Sequence, residues 1–326
     1  MTDPRICVVG AGNLASRRIY PHIGAGGGQL AGVCDLDVAK AERNARRFGG
    51  HVYDDVETML DTEKPDGVVI CIGPEQHAEL APVALRRGIP VYTEKPPAAS
   101  AAAALEVTRI AKEANTLCAT GFKRRYNLAY NRAKEWIEGF PPNDHYALSV
   151  DFASGRYPND AEARSLLLDF AIHAIDLVGY LFGDAAEVFA FAKGANAYAV
   201  SLRFASGAVG SLSFNDGRSF NLPTEEVEIS MRGGNFMTIH NSSVWRIAEQ
   251  ERSAEWREPP TFTSSGDSGN ETGHLAEIVD FISAIREGRK NSRSSIYESY
   301  KSMVLYEAIK ESAETARVVP VRYEPL

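Results

Sequence analysis

The stretch Ile6-Cys7-Val8-Val9-Gly10-Ala11-Gly12-Asn13-Leu14-Ala15 decides the fold of this chain. Its first four residues form a continuous β-type run, and its last six match Gly-x-Gly-x-x-Gly/Ala where a helix is predicted to begin. Gly10 permits a tight turn, Gly12 lets the backbone approach a pyrophosphate, and Ala15 keeps the helix close to the strand. The stretch therefore predicts the first strand–turn–helix unit of a dinucleotide-binding domain, rather than a plain strand-to-helix turn.

Asp35 supports this interpretation, because it ends the next β-type run, 23 residues after Gly12. A carboxylate at this point accepts hydrogen bonds from ribose hydroxyls and repels a 2′-phosphate, which favours NAD over NADP. Arg17, Arg18 and Lys40 could receive a 2′-phosphate, so NADP remains the alternative. The sequence predicts NAD as the cofactor.

The first 121 residues alternate strand and helix patterns. Strands that are apolar throughout and alternate with helices predict a parallel sheet covered on both faces, which is a doubly wound Rossmann-type α/β domain. The predicted strands are Ile6–Val9, Leu30–Cys34, Gly67–Ile72, Val91–Thr93 and Leu117–Thr120, and the predicted helices are Ala15–Ile23, Val38–Phe48, Gln76–Arg87 and Ala101–Ala114.

The pattern changes after Gly121 to strands with a period of two residues, which predicts an α+β domain with a large, mainly antiparallel open sheet. Its predicted strands are Tyr146–Phe152, Val188–Phe191, Ala197–Phe204, Ala208–Phe214, Val227–Arg232, Phe236–His240, Val244–Ala248 and Val318–Val321. Its predicted helices are Leu128–Ile137, Ser165–Phe182, Glu271–Glu287 and Ile296–Ala316, and Glu255–Asn270 is predicted to be a surface loop. A sheet with one uncovered face favours subunit pairing, so we expect a homodimer or homotetramer joined through residues 188–248.

Bulk properties limit the class of protein. A chain of 326 residues suits two domains, which we place at 1–121 for NAD binding and 122–326 for substrate binding and oligomerisation. The net charge of −8 argues against nucleic acid or an anionic membrane as partner. No apolar run reaches the roughly 20 residues of a membrane span, and the first residues lack the layout of a signal peptide. The four cysteines follow no metal or redox spacing, so we expect free thiols in a cytoplasmic protein.

Lys95 is the first candidate catalytic residue. In Val91-Tyr92-Thr93-Glu94-Lys95-Pro96 the β-type run stops at a proline, which lacks the N–H that a sheet requires. The last side chains before the proline therefore lie at the carboxyl edge of the sheet, where open α/β folds bind ligands. A lysine there can hold a donor against a substrate hydroxyl or carbonyl.

A carboxylate–histidine pair lies in the second half of the chain. Asp169 and His173 are four residues apart in an apolar helix and share one face, and Asp176 follows three residues later. A carboxylate one turn away can orient a histidine and raise its pKa, which suits a general base or acid. The alternatives are a packed core histidine and a metal site, and the lack of a second histidine or cysteine argues against metal.

Together these pieces resemble the glucose–fructose oxidoreductase / inositol dehydrogenase (Gfo/Idh/MocA) family along essentially the whole chain. The matching pieces are Gly10–Ala15, Asp35, Gly73-Pro74-Glu75-Gln76-His77, Glu94-Lys95-Pro96, Gly121-Phe122-Lys123-Arg124-Arg125-Tyr126 and Asp169-x-x-x-His173. The resemblance implies an N-terminal Rossmann domain and a C-terminal domain built on a large open sheet.

The resemblance also implies roles for single residues. Lys95 matches a lysine that contacts the substrate hydroxyl and the nicotinamide ribose, His173 the histidine that takes the hydroxyl proton, and Asp169 the acid that orients the substrate. Arg124 matches a substrate-contacting arginine. The positions that match residues lining the dinucleotide are Asn13, Leu14, Cys71, Ile72, His77 and Glu94.

The chain departs from the family pattern at three places. Ser165-Leu166-Leu167-Leu168 replaces a glycine-rich stretch, and Ala171 replaces a glycine two residues before the histidine. Both changes fill space, which bears on the identity of the substrate rather than on the reaction. His274 falls where many relatives carry a tyrosine that faces the substrate, and it could equally lie on a helix surface.

The leading hypothesis is an NAD-dependent enzyme that oxidises a secondary alcohol of a cyclic polyol or sugar, or runs the reverse reduction. A second hypothesis is an enzyme that retains NAD and oxidises its substrate transiently, in the manner of an epimerase or a glycosidase. A third is a non-catalytic regulator that senses a sugar or a dinucleotide. Retention of Lys95, Asp169 and His173 argues against the regulator, because a sensor needs no proton acceptor.

Overall fold

The structure is a computed structural model that describes residues 2–155, 166–219, 221–250, 252–257 and 272–326. The chain forms two compact units. Among the described residues, the first unit contains 2–126, 272–300 and 326, and the second contains the others. The sequence-based division after residue 121 gives two consecutive parts, whereas the first unit combines residues 2–126 with the distant stretch 272–300 and with residue 326.

The strands are numbered in chain order. They are β1 (Arg5–Val9), β2 (Gln29–Cys34), β3 (His51–Tyr53), β4 (Gly67–Ile70), β5 (Val91–Thr93), β6 (Cys118–Thr120), β7 (His145–Ala153), β8 (Ala185–Lys193), β9 (Ala197–Phe204), β10 (Val209–Asn215), β11 (Thr224–Met231), β12 (Asn235–His240), β13 (Val244–Glu249), β14 (Arg252–Arg257) and β15 (Val319–Pro320).

The helices follow the same order. They are α1 (Asn13–Arg18), α2 (Tyr20–Ala25), α3 (Val38–Phe48), α4 (Val56–Glu63), α5 (Pro74–Leu85), α6 (Ala101–Glu113), α7 (Leu128–Glu138), α8 (Ile172–Phe182), α9 (His274–Glu287) and α10 (Ile296–Thr315). Short 3-10 helices cover Lys123–Tyr126 and Pro142–Asp144, and a π-helical turn covers Leu166–Ala171. Among the residues that the structure describes, no helix is both long and apolar enough to cross a membrane.

The first unit is built on a parallel sheet with the strand order β3-β2-β1-β4-β5-β6. This order confirms the predicted doubly wound Rossmann-type fold. The strand order reverses between β1 and β4, and ligands of such sheets bind at the carboxyl ends of the strands near this point. The loops after β1, β4 and β5 therefore converge on the edge where the sequence places its candidate residues.

Helix α9 is part of the core of the first unit. Ile278, Phe281 and Ile282 are at most 1% exposed and pack in one cluster with Ile6 and Val8 of β1. Complete burial of side chains of this size contributes about 1.5–3 kcal/mol each. The first unit is therefore complete only when α9, more than 140 residues after β6, has packed on the sheet.

The second unit contains a sheet with the order β14-β13-β12-β11-β7-β10-β9-β8-β15. Its neighbouring strands are antiparallel, as predicted, with the exception of β7 and β10, which are parallel. Alternate side chains are buried, such as Leu148, Val150 and Phe152 of β7, and those between them face solvent.

Several predicted elements are corrected by the structure. The predicted helix Ala15–Ile23 is two helices, α1 and α2, which meet at Ile19, and β3 and α4 were not predicted. The predicted loop Glu255–Asn270 begins inside β14, and its remaining residues from 258 lie outside the described part, as do Ser165 and Glu271. The predicted strand Gly67–Ile72 ends at Ile70.

Candidate active site

The glycine-rich turn has the geometry that a pyrophosphate requires. Gly10 has a φ of +99° and donates its N–H to the Cys34 carbonyl at 2.8 Å, and an added Cβ would collide with the backbone oxygen of Cys71. Gly12 is the N-cap of α1, and an added Cβ there would meet nothing within 4 Å. Because Gly12 has no side chain, the first N–H groups of α1 receive no hydrogen bond from an N-cap side chain. These features fit a dinucleotide phosphate.

Asp35 is held at the end of β2 by two backbone donors. Its Oδ2 accepts from the N–H of Ala11 at 2.7 Å, and its Oδ1 accepts from the N–H of Asp37 at 2.8 Å. The carboxylate is thereby tied to the glycine-rich turn, as a ribose-binding acid should be. Lys40 lies 3.2 Å from the Asp37 carboxylate, so its charge is already engaged beside Asp35. This pairing favours NAD over NADP.

Exposed apolar side chains follow three of the central strands. Leu14, Leu36 and Ile72 are 44%, 92% and 41% exposed, and they follow β1, β2 and β4. Asn13 and Leu14 begin α1 and are both exposed. Cys71 precedes Ile72, and burial is the main reason why the pKa of its thiol is raised well above the ordinary value, so it stays protonated. These positions can line a dinucleotide.

His77 occupies a different position from the one that the sequence predicted. Its ring is fully buried, its Nε2 accepts from the N–H of Ile72 at 3.2 Å, and its Nδ1 lies 2.8 Å from the carbonyl of Pro96. Burial lowers the pKa of the ring to about 4, so it is neutral with the proton on Nδ1. The imidazole thus joins the loop after β4 to the loop that carries Lys95, and it is not open to a ligand.

Glu94 and Lys95 directly follow β5 at the carboxyl edge of the parallel sheet. The N–H of Glu94 donates to the carbonyl of Ile70 at 2.8 Å, which continues the pairing of β5 with β4 by one residue. Glu94 is 6% exposed, and its Oε2 accepts from the N–H of Lys95 at 3.0 Å. Lys95 is partly exposed, and its peptide bond to Pro96 is cis. The lysine therefore lies where the sequence predicted it.

A buried acid on α9 is a feature that sequence reasoning missed. Glu277 is 1% exposed, and burial, followed by the charge of Glu94, raises the pKa of its carboxyl well above the ordinary value. Tyr92 is also buried, and a Cβ on Gly121 would collide with its hydroxyl. Glu277 lies four residues before Phe281 and so shares a helix face with it, and an acid on that apolar face is the signal that could have revealed it.

Positive charge gathers around the start of α9. We call the basic side chains of Arg18, His22, Lys123, Arg124 and His274 the basic cluster. They come from α1, α2, the 3-10 helix and α9, and α9 packs against both α2 and the 3-10 helix. His274 is 8% exposed, and its Nδ1 lies 2.9 Å from the Thr272 hydroxyl.

The pKa of His274 is affected by the other four residues of the cluster. Burial lowers the pKa of this ring well below its ordinary value, and the charges of Lys123, Arg18, His22 and Arg124 lower it further, in that order. His274 is therefore a buried residue and not part of an exposed helix surface. Of the five residues, sequence reasoning proposed Arg124 and His274 for the substrate site. It missed His22 and Lys123, and it considered Arg18 only for a 2′-phosphate.

Asp169 and His173 lie in the second unit, where a π-helical turn is followed directly by the α-helix α8. Asp169 belongs to the π-helical turn, and His173 is the second residue of α8. The turn is fixed by Phe170, whose ring stacks on Phe152 of β7 with 4.1 Å between centroids and 5° between planes. Asp169 and His173 are both partly exposed. Such π turns are frequent at functional sites.

Asp176 has a structural role. It is completely buried and accepts a hydrogen bond from the Ser302 hydroxyl at 2.8 Å, which joins α8 to α10. Within the described residues, no three histidine, cysteine, aspartate or glutamate side chains converge as a metal site would require. All four cysteines are free thiols, and Cys7, Cys34 and Cys118 are buried.

The Rossmann fold, the open glycine-rich turn and the tethered Asp35 define an NAD-binding oxidoreductase. The family model described as "Oxidoreductase family, NAD-binding Rossmann fold" matches residues 4–122, and the model of its C-terminal alpha/beta domain matches residues 156–321. The chain belongs to the Gfo/Idh/MocA family of oxidoreductases.

Among curated relatives, inositol 2-dehydrogenase of Acidothermus cellulolyticus is 26% identical over 97% of this chain and 94% of its own length. D-glucoside 3-dehydrogenase of Escherichia coli is 27% identical, but the match spans 55% of this chain and only 54% of that protein. An oxidoreductase from Agrobacterium radiobacter, solved with NAD+, L-tartaric acid and magnesium, superposes with a TM-score of 0.87 at 18% identity over 98% of this chain and 99% of its own. This likeness supports the fold.

Proposed function

We propose that the protein is an NAD-dependent dehydrogenase that oxidises a secondary alcohol of a cyclic polyol or sugar, or reduces the corresponding ketone. The observation that carries the proposal is Lys95, which directly follows β5 at the carboxyl edge of the sheet that holds the NAD-binding turn. Inositol and glucoside dehydrogenases among the relatives support the substrate class.

The chain supplies the residues that this reaction needs. His173 takes the hydroxyl proton, Lys95 donates a hydrogen bond to the oxygen as negative charge develops on it, and Asp169 orients the substrate. The nicotinamide, when bound, accepts or returns the hydride. Glu94 holds the backbone of Lys95 through its carboxylate, and His77 holds the loop on the other side of Lys95. The lysine is thereby positioned from two directions.

The sequence left a second enzymatic function open, in which NAD is retained and the substrate is oxidised and reduced again. No contact of the described residues favours it over simple dehydrogenation. For the sensing regulator, retention of Lys95, Asp169 and His173 remains the argument against it.

We also propose that the protein assembles as a homodimer or homotetramer through the exposed face of the sheet in the second unit, within residues 188–248. Phe191 and Val209 support this, because they are 64% and 53% exposed on that face. A cavity of about 540 Å³ lies on this face, between the outward side chains of neighbouring strands. Four free cysteines fit a cytoplasmic protein, which is the location we propose.

A panel of polyols and sugars with NAD and with NADP tests the function, with absorbance of the reduced cofactor as the readout. We expect turnover of at least one cyclic alcohol with NAD, and a lower kcat/KM with NADP. Binding of NAD without turnover of any panel member would favour the sensing regulator. Isomerised product without net formation of NADH would favour transient oxidation.

A further inference from the structure

We infer that Tyr20 and Asn44 are positioning residues of the NAD site, which hold the glycine-rich turn in the shape that receives the pyrophosphate. Neither residue belongs to a sequence motif of the cofactor site, and each acts on the turn rather than on the cofactor itself. Both lie in the first unit, as does the whole turn. The inference concerns cofactor binding, so it holds whichever alcohol the enzyme oxidises.

The peptide group between Gly10 and Ala11 is held at both ends. The Tyr20 hydroxyl donates to the Gly10 carbonyl at 3.0 Å, and the Ala11 N–H donates to Oδ2 of Asp35 at 2.7 Å. Because a trans peptide group is planar and its C=O and N–H point in opposite directions, these two hydrogen bonds fix the orientation of the whole plane. Without Tyr20, the buried Gly10 carbonyl would lose this donor.

Tyr20 is itself held in place. It is 2% exposed, and its ring stacks on Phe48 of α3 with 5.7 Å between centroids and 16° between planes. Burial is the main reason why the pKa of its hydroxyl is raised well above the ordinary value, so the hydroxyl keeps its proton and can donate. The donor to the turn therefore comes from a buried ring with a fixed orientation.

Asn44 holds the next peptide group of the turn. Its Nδ2 donates to the Ala11 carbonyl at 3.3 Å and to the Lys40 carbonyl at 3.1 Å, and the residue is 5% exposed. The Ser16 hydroxyl also lies 3.4 Å from the Ala11 carbonyl, but its shorter bond, of 2.8 Å, is to the carbonyl of Gly12. The other end of the peptide group that Asn44 holds is the N–H of Gly12, the N-cap of α1.

One helix, α3, thus acts on the turn in two ways. Asn44 contacts the turn directly, and Phe48, four residues later on the same helix face, supports Tyr20. A phosphate that binds at the start of a helix needs N–H groups that already point towards it. If the turn could rotate, part of the binding free energy would be consumed in ordering it. Tyr20 and Asn44 therefore increase the affinity for the phosphate part of NAD.

The test compares ligands with and without phosphate on variants that lack one donor. The ligands are NAD, ADP-ribose and adenosine, and the variants are Tyr20→Phe and Asn44→Leu. Each variant should weaken binding of NAD and ADP-ribose by about 3- to 10-fold, the usual contribution of one hydrogen bond, and should change the affinity for adenosine by less than about twofold. Calorimetry measures NAD and ADP-ribose, and displacement of NADH measures adenosine.

Tyr53→Phe is the matched control. The Tyr53 hydroxyl donates at 2.5 Å to Glu63, which also accepts from Arg5 at the start of β1, whereas the glycine-rich turn follows the end of that strand. Loss of this hydroxyl should lower the free energy of unfolding, as in the other two variants, but it should leave the affinity for NAD unchanged. A loss of stability alone therefore does not produce the expected pattern.

Each residue is judged by its own variant. Tyr20→Phe keeps the buried ring, and Asn44→Ala takes the place of Asn44→Leu should the latter not fold. A folded variant that binds NAD as tightly as the unaltered protein removes its residue from the inference, and two such variants overturn it. Equal weakening of adenosine and ADP-ribose would also overturn it, because the effect would then not reside in the phosphates. If no alcohol is oxidised, the dehydrogenase proposal fails, while these binding results still decide the inference.

Discussion

Gly10 and Gly12 lie in one turn but differ in the space that they leave for an added methyl group. Gly10→Ala forces a side chain into a φ of +99° and against the Cys71 carbonyl, so we expect the free energy of unfolding to fall by about 1–3 kcal/mol or more. Gly12→Ala meets open space at a φ of −71°, so its stability should change by less than about 0.5 kcal/mol. Its affinity for NAD should fall, because the methyl occupies the space assigned to the pyrophosphate.

Urea unfolding and calorimetry with NAD measure the two effects separately. An equal loss of stability in both variants would contradict the open space at Gly12, and unchanged NAD affinity in Gly12→Ala would contradict the pyrophosphate position.

His173 and Lys95 should differ in how they affect catalysis. His173→Ala should lower the oxidation rate by about 10²–10⁴-fold with little change in NAD affinity, because a positioned base acts on the substrate proton. Lys95→Ala should lower the rate and also weaken NAD binding, since this lysine lies beside the NAD-binding edge. The rate of the unaltered protein should rise with pH through a group near neutrality, and that rise should vanish in His173→Ala.

His240→Ala is the control, because His240 is an exposed histidine of β12 in the same unit. Normal turnover and an unchanged pH profile in His173→Ala would mean that His173 is a packing residue. His274, the other histidine that the sequence places at the substrate site, would be a weak replacement, since burial and the neighbouring cations lower its pKa.

At the scale of elements, His77 links the loop after β4 to the loop that carries Lys95. In the folded protein its pKa is about 4, against about 6.5 when exposed. Between these values the unfolded chain binds a proton that the folded chain does not. The free energy of unfolding should therefore fall as pH falls from 6.5 to 4, by about 3 kcal/mol from this residue.

His77→Gln should remove this part of the pH dependence and lower stability at pH 7, because the ring no longer satisfies Ile72 and Pro96. Unfolding curves across this pH range measure both effects, with exposed His240→Gln as control. An identical slope in His77→Gln and the unaltered protein would show that the ring titrates normally.

Local sequence signals account for the elements that were predicted well. Val38–Phe48 and Val91–Thr93 have the predicted bounds, since Asp37 caps one and a proline follows the other. β3 has three residues and α4 has eight, which is too few for a clear period, and α1 and α2 read as one helix because Ile19 between them is apolar.

The candidate site likewise contains features that local motifs predict and features that depend on contacts between distant segments. The placement of Gly10, Asp35 and Lys95 at the carboxyl ends of β1, β2 and β5 follows from motifs inside single strand–loop units, so this placement could be predicted. The effects of Tyr92 on the pKa of Glu277 and of Arg18 on the pKa of His274 depend on the packing of α9 against distant segments. No local pattern encodes such contacts.

For the whole molecule, the outward face of the large sheet is the surface through which we propose assembly. Light scattering should give a mass of at least twice the 35.5 kDa of one chain. Phe191→Glu should lower this mass, because burying a new charge in an interface is costly. Leu128→Glu, at an exposed leucine of α7, is the control and should keep the mass of the unaltered protein. A single-chain mass in the unaltered protein would reject the proposed assembly.

The position of α9 has a consequence for synthesis on the ribosome. Residues 2–126 are translated before α9. Until α9 has been made, β1 therefore lacks its packing partners Ile278, Phe281 and Ile282. The apolar surface of the nascent Rossmann sheet therefore stays uncovered while strands β7 to β14 of the antiparallel sheet are translated. Chaperone binding should therefore persist until late in translation, and a fragment cut at residue 126 should aggregate although it contains every strand of its sheet.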